Sequence, residues 1–190
     1  MQGRESWLLP FAVAVSLAAL AGRGGPDQAA AQTDRTQSSR ALEARRVLAR
    51  IEVERDETWR WQGLMGVALT RHVDSARRTT SLEYRRWVLG LWTRRALLAG
   101  KRVSNPPPHA QWLCIHRYEG PWDADTGNGY YGGLQMDLEF QRTYGSRLLR
   151  TKGTADTWTP LEQIWVAERA YESGRGFYPW PNTARYCGLI

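Results

Sequence analysis

Three features of the sequence predict an α+β protein, mainly helical, in which a helical hairpin precedes a small domain with one short β-hairpin. Two long segments carry apolar residues at three- and four-residue spacings, three prolines at 106–108 divide the chain, and the stretch that follows is dense in glycine and aromatic residues. A stripe at helical spacing buries one face of a helix, a proline run cannot continue one, and glycine between aromatics permits tight turns.

The first element is an export signal. Residues 7–21 form an apolar run of 15, shorter than the roughly 20 residues that a bilayer span requires. Small residues at 19–21 and 29–31 offer cleavage sites, so 1–31 reads as a secretory signal peptide that leaves no membrane span once removed. The stretch 22–38 is rich in Gly, Ala, Gln, Ser and Thr and reads as a flexible linker or a cleaved remnant. In an oxidising compartment Cys114 and Cys187, the only cysteines, are expected to pair. That disulfide closes a loop of 73 residues and contributes roughly 4 kcal/mol on the chain-entropy model. A Cys/His nucleophile is disfavoured, because Cys114 and His116 are two apart and do not share a helix face.

Residues 32–104 hold the linker and a basic helical hairpin. One helix is expected from 39 to about 70 through Val47, Leu48, Ile51, Trp59 and Met65, and a second from about Ser81 to Gly100 through Trp87, Val88, Leu91 and Trp92. Ser81 is the expected N-cap and Gly100 the expected stop. Residues 31–110 carry a net +8, whereas 111–190 carry −1, within a whole-chain +7. An exported basic segment points to anionic wall polymers rather than nucleic acid.

The domain from 109 to 190 opens with a helix candidate at 111–118 that brings Glu119 to its end, where Gly120-Pro121 stops the helix. Asn128-Gly129 signals a type I′ hairpin turn, Tyr130 and Tyr131 a short strand, Gly132-Gly133 a close backbone approach, and residues 134–136 the start of another helix. Cleaving a glycosidic bond needs a carboxylic acid that delivers a proton to the leaving oxygen, and aromatic surroundings favour the protonated form. Trp112, Tyr118, Trp122 and Tyr131 are the rings available to surround Glu119 and to stack on sugar faces. The residues by themselves equally allow Glu119 to accept helix-terminal or loop hydrogen bonds. Asp123 and Asp125 are candidates for a second carboxylate and also suit the turn that holds them. His72, His109 and His116 lack ligand spacing, so neither a metal nor another cofactor is expected.

Trp112 to Cys187 resembles the catalytic domain of the resuscitation-promoting factors, secreted bacterial peptidoglycan-cleaving enzymes with a lysozyme-like fold. The resemblance rests on Trp112 seven residues before Glu119, on Trp122, on the run TGNGYYGGLQ at 126–135, and on Glu162-Gln163-Ile164, the stretch 166–169, Trp180 and Cys187. It implies that Glu119 is the catalytic acid and that Thr126, Gln135 and Tyr131 line a sugar groove, with Trp122 and Asp125 beside them. Peptidoglycan glycan strands are the implied partner, and the bond between N-acetylmuramic acid and N-acetylglucosamine the implied target. The implied reaction is that of a lytic transglycosylase or a muramidase. Two departures stand out: Tyr118 occupies a place where the family carries a cysteine, and the segment from Glu119 to Trp122 is short. A wall-binding protein that has kept the groove and lost turnover is the second reading. A protein that docks a partner through its Trp-rich hairpin is the third.

Overall fold

The computed structural model describes residues 26–72 and 75–190. Most of the signal-peptide reading therefore falls outside the described residues. Of the first of two compact units, Met1–Ser39, residues 27–39 are exposed throughout. Arg40–Ile190 forms the second unit and contains all of the buried residues among those described.

Helix α1 runs from Pro26 to Met65. Residues 26–38 are therefore helical rather than an irregular linker. Pro26 suits a first helical position, Asp27 an N-terminal turn, and Ala29, Ala30 and Ala31 are the best helix formers. The helix stops earlier than its apolar pattern suggests, because Gly66 turns the backbone to φ 73°. Trp59 Nε1 then donates to Thr70 O at 2.8 Å, and Gln62 both donates to Thr70 Oγ1 and accepts from Thr70 N. A short α2 (Ser75–Arg78) leads into α3 (Leu82–Val103), whose N-cap Ser81 accepts from Tyr84 N as expected.

Gly100 does not end α3. The helix continues because Ala99 and Val103 bury with Leu64, Met65 and Trp165 in one cluster, which repays the weak helix propensity of a single glycine. That cluster ties α1 and α3 to the C-terminal half of the chain, and Trp165 Nε1 donates to Val103 O at 2.7 Å. Arg169 adds a second tie: its guanidinium donates to Leu64 O at 2.7 Å, near the end of α1, and to Tyr144 O. The prolines at 106–108 thus turn the chain without parting its core.

Beyond them come α4 (His109–Glu119), β1 (Tyr130–Tyr131), β2 (Met136–Asp137), α5 (Leu138–Tyr144), α6 (Ser146–Lys152), α7 (Pro160–Ala170) and α8 (Pro181–Tyr186). This is the mainly helical α+β arrangement that the sequence predicts. The two strands are antiparallel, with Tyr130 opposite Asp137 and Tyr131 opposite Met136. Their core is aromatic: the Trp112 ring lies 4.9 Å from Phe177 and 5.1 Å from Trp180, with Ile115, Leu134 and Val166 buried around them. Helix α7 begins with a capping box in which Thr159 and Glu162 satisfy each other's backbone N–H groups.

The hairpin turn differs from the expected one. The β1–β2 connection is 132–135, where Gly132 (φ 73°) and Gln135 (φ 47°) take left-handed backbone conformations. Asn128 does not, so a type I′ turn at Asn128-Gly129 is excluded. Asn128 Oδ1 instead accepts from Tyr130 N at 2.9 Å, a local turn that competes with the two-residue hairpin. Residues 134–136 likewise do not begin a helix; Asp137 caps α5 by accepting from Phe140 N at 2.7 Å.

Candidate functional site

Glu119 is the last residue of α4, and Gly120, at φ 151°, ends the helix immediately after it. Its side chain is half-buried, and Oε1 accepts a hydrogen bond from Thr183 Oγ1 at 2.7 Å. Thr183 belongs to α8, which Cys187 caps at its C-terminal end; α4 carries Cys114. The expected Cys114–Cys187 disulfide is present, with Cα atoms 6.1 Å apart. The same two helices are therefore joined twice, once covalently and once through the Glu119 carboxyl.

The glycine-rich hairpin is fastened from behind by one side chain. Gln163 on α7 is fully buried; its Oε1 accepts from Gly133 N at 2.8 Å. Its Nε2 lies within hydrogen-bond distance of Trp122 O (2.7 Å), Ala155 O (2.8 Å) and Trp158 O (3.1 Å). A Cβ on Gly132 would collide with the Gln163 amide, and one on Gly133 would sit 2.6 Å from His116 Nδ1 and 2.7 Å from Trp122 Cε3. Both glycines are required by the close approach of side chains to backbone.

A family model of a transglycosylase-like domain matches residues 108–183. Over 88 residues the chain is 37% identical to a resuscitation-promoting factor of Corynebacterium glutamicum, covering 45% of this chain and 44% of that protein. It is 38% identical over 76 residues to resuscitation-promoting factor RpfE of Mycobacterium tuberculosis, covering 39% and 41%. With RpfD of the same organism the identity is 35% over 89 residues, covering 46% and 54%.

Residues 108–183 are a transglycosylase-like domain.

The chain spans about half the length, or less, of these relatives. In the transglycosylase-like domain the expected site residues fall into three groups. Gln135 comes close to the Glu119 end of α4: its Nε2 lies 4.0 Å from where a Gly120 Cβ would be, and donates to Gly132 O at 2.9 Å. Thr126 and Asp125 are exposed on the loop before β1, where Asp125 Oδ1 accepts from Gly127 N at 3.3 Å and Asp125 bridges Tyr131. Trp122 and Tyr131 both pack against the core.

The rings expected around Glu119 have other packing partners. Trp112 faces the core, where its Nε1 donates to Glu168 Oε2 at 2.9 Å. Trp122 stacks on His116, with ring centres 3.8 Å apart and an interplanar angle of 17°. Tyr118 is exposed and lies against Tyr186. Tyr118 is the neighbour of Glu119 on α4 and points about 100° away from it, whereas Trp112 lies two turns earlier and Trp122 beyond the helix end.

A cleft of about 280 Å³ opens beside the hairpin, lined by Tyr130, Gln135, Asp137, Arg175 and Trp180 among others. Glu119 is outside this lining, but Gln135 and the segment from Trp180 to Thr183 connect the two. Trp180 is anchored by its Nε1, which donates to Leu134 O at 2.6 Å.

Thr183 and Gln163 are the residues that sequence reasoning missed. Thr183 is 64 residues from its partner and lies in no periodic pattern. Gln163 was visible only as part of the family resemblance. Glu168 is a further buried acid: burial pushes its carboxyl above the usual range, the Trp112 N–H opposes this, and the charge of Glu172 adds to it. Among the described residues no group of three or more His, Cys, Asp or Glu is placed to hold a metal ion.

Proposed function

We propose that the domain cleaves the glycan strands of peptidoglycan between N-acetylmuramic acid and N-acetylglucosamine, outside the cytoplasm, with Glu119 as the proton donor. The observation that carries this reading is the Glu119 carboxyl itself. It closes helix α4, is half-buried, and has one oxygen held by Thr183 beside a hairpin whose Gln135 lines an open cleft. A groove of this kind admits a polymer, and a carboxyl with one oxygen engaged has the other available for the bond to be broken.

A single-acid route fits best. Asp125 is occupied in its own turn, and Asp123 is exposed on the same loop, so neither is held in a geometry that fixes a second carboxylate across the bond. Glu119 protonates the glycosidic oxygen as the bond to C1 breaks. Its carboxylate then accepts the proton of the substrate's own 6-hydroxyl as that oxygen attacks C1, giving a 1,6-anhydro product. The basic α1–α3 hairpin favours anionic wall polymers as a retention surface.

The test is incubation of the oxidised protein with purified peptidoglycan, with Glu119→Gln in parallel, and mass spectrometry of the soluble fragments. Fragments lighter than hydrolysis products by one water, and dependent on Glu119, support the proposal. Full-mass reducing ends replace the route with hydrolysis. Absence of Glu119-dependent fragments favours a wall-binding protein without turnover.

A further inference from the structure

We infer that Thr183 is a positioning residue for Glu119: its hydroxyl holds Oε1 as a fixed acceptor, which leaves Oε2 as the oxygen that carries and delivers the proton. The inference rests on the reading of Glu119 as the acid, and adds to it a residue, a designated oxygen and the means by which the pairing is held.

Thr183 is 8% exposed, and its Oγ1 has two acceptors within reach: Glu119 Oε1 at 2.7 Å and Trp180 O at 3.3 Å. A hydroxyl has one proton to donate. The shorter contact, to the group that bears charge, takes it, because hydrogen bonds to ionised acceptors are the shorter and stronger ones. An oxygen already accepting such a bond is the poorer site for a proton. Protonation therefore falls on Oε2, while Oε1 keeps its partner in both states. An acid that first gives a proton and then takes one back can do both through this one oxygen.

The pairing is held from two sides. Cys114 lies five residues before Glu119 on α4, and Cys187 four residues after Thr183 at the C-cap of α8, so the disulfide clamps the two helices about one turn from the hydrogen bond. On the other side Trp180, the residue preceding α8, is pinned to Leu134 O. Neither end of this short helix is free to rotate Thr183 away from the carboxyl.

The experiment measures steady-state cleavage of soluble glycan-strand fragments by the full oxidised chain and by Thr183→Val, Thr183→Ser and Glu119→Gln, with circular dichroism and thiol titration confirming fold and disulfide. Valine keeps the shape and deletes the donor; serine restores it. Should valine perturb folding, Thr183→Ala removes the same hydroxyl. The expected result is a kcat lower by about 10- to 100-fold for the valine variant, an unchanged KM, and recovery to within about threefold for serine. An unaltered kcat in Thr183→Val beside an inactive Glu119→Gln overturns this inference and leaves the proposed function standing. Equal losses in the valine and serine variants with a raised KM also overturn it, because they show a packing role. Full activity in Glu119→Gln overturns the function itself, and the inference with it.

Discussion

The α1–α3 hairpin and the transglycosylase-like domain achieve order in opposite ways. The hairpin uses length: a 40-residue and a 22-residue helix meet through a thin seam of Val47, Ile51, Val88 and Trp92, with exposed ion pairs such as Arg86–Glu43 and Arg77–Glu52 along the margin. Helices of the domain are 6 to 11 residues long, too short to persist alone. The domain is held by an aromatic core and by buried side chains that reach backbone groups far away in sequence: Gln163, Gln141, Trp165 and Trp180. Charge at a surface sets little by itself, whereas a buried amide with several partners sets a unique geometry. The candidate site lies where the second kind of construction is densest.

That contrast can be broken most severely at Gln163. Gln163→Ala strands the buried Gly133 N–H and frees the loop carbonyls that the amide gathers, so a loss of about 3 kcal/mol or more is expected in urea denaturation. Cleavage should fall with it. If the variant keeps parental stability, the fastener does not hold the hairpin. Replacing Cys114 and Cys187 together by serine ranks next. A loss of about 2–4 kcal/mol is expected, read as a lower thermal midpoint that reducing agent reproduces in the parent and leaves unchanged in the variant.

Glu168→Gln should act in the other direction. A carboxyl held above its usual range by burial is tolerated by the folded state when protonated and disfavours it when ionised, so stability is lost as pH rises through that raised range. The glutamine variant keeps an acceptor for Trp112 Nε1 and carries no charge. Its melting temperature should exceed the parent's by a few degrees at neutral pH, and the gap should close below about pH 4. An equal or lower midpoint at neutral pH would show that the Glu168–Trp112 bond outweighs the burial of charge. The smallest effect belongs to the hairpin margin: Glu43→Ala, which removes the partner of Arg86, should change stability by less than about 0.5 kcal/mol in a urea titration.

Much of this was legible in local patterns. The apolar spacing of α1 and α3, Ser81 as an N-cap, Glu119 at the end of a helix, the paired cysteines and the glycine run all follow from rules that act over a few residues or from compartment chemistry. Errors arose where two local rules competed. Asn128-Gly129 has the composition of a two-residue turn, but Asn128 satisfies its own loop instead, and the connection moves to 132–135, where Gln163 covers the backbone. Gly100 looks like a stop, but burial of Ala99 and Val103 against Trp165 carries the helix past it. The rings around Glu119 are neighbours in sequence, but the core takes Trp112, and Trp122 goes to His116.

By itself the sequence determined the class of the protein, its helical and glycine-rich halves, the acid at the end of α4 and the cysteines that pair, because each is written in residues close together or in composition. Only the tertiary structure decided what faces that acid. Thr183 reaches Glu119 across 64 residues, Gln163 reaches Gly133 across 30, and Trp165 reaches Val103 across 62. Each is a single side chain reaching a polar group far away in sequence, with no periodicity to announce it. Such contacts arise when the burial of apolar surface brings distant segments together and the polar groups trapped there must find partners.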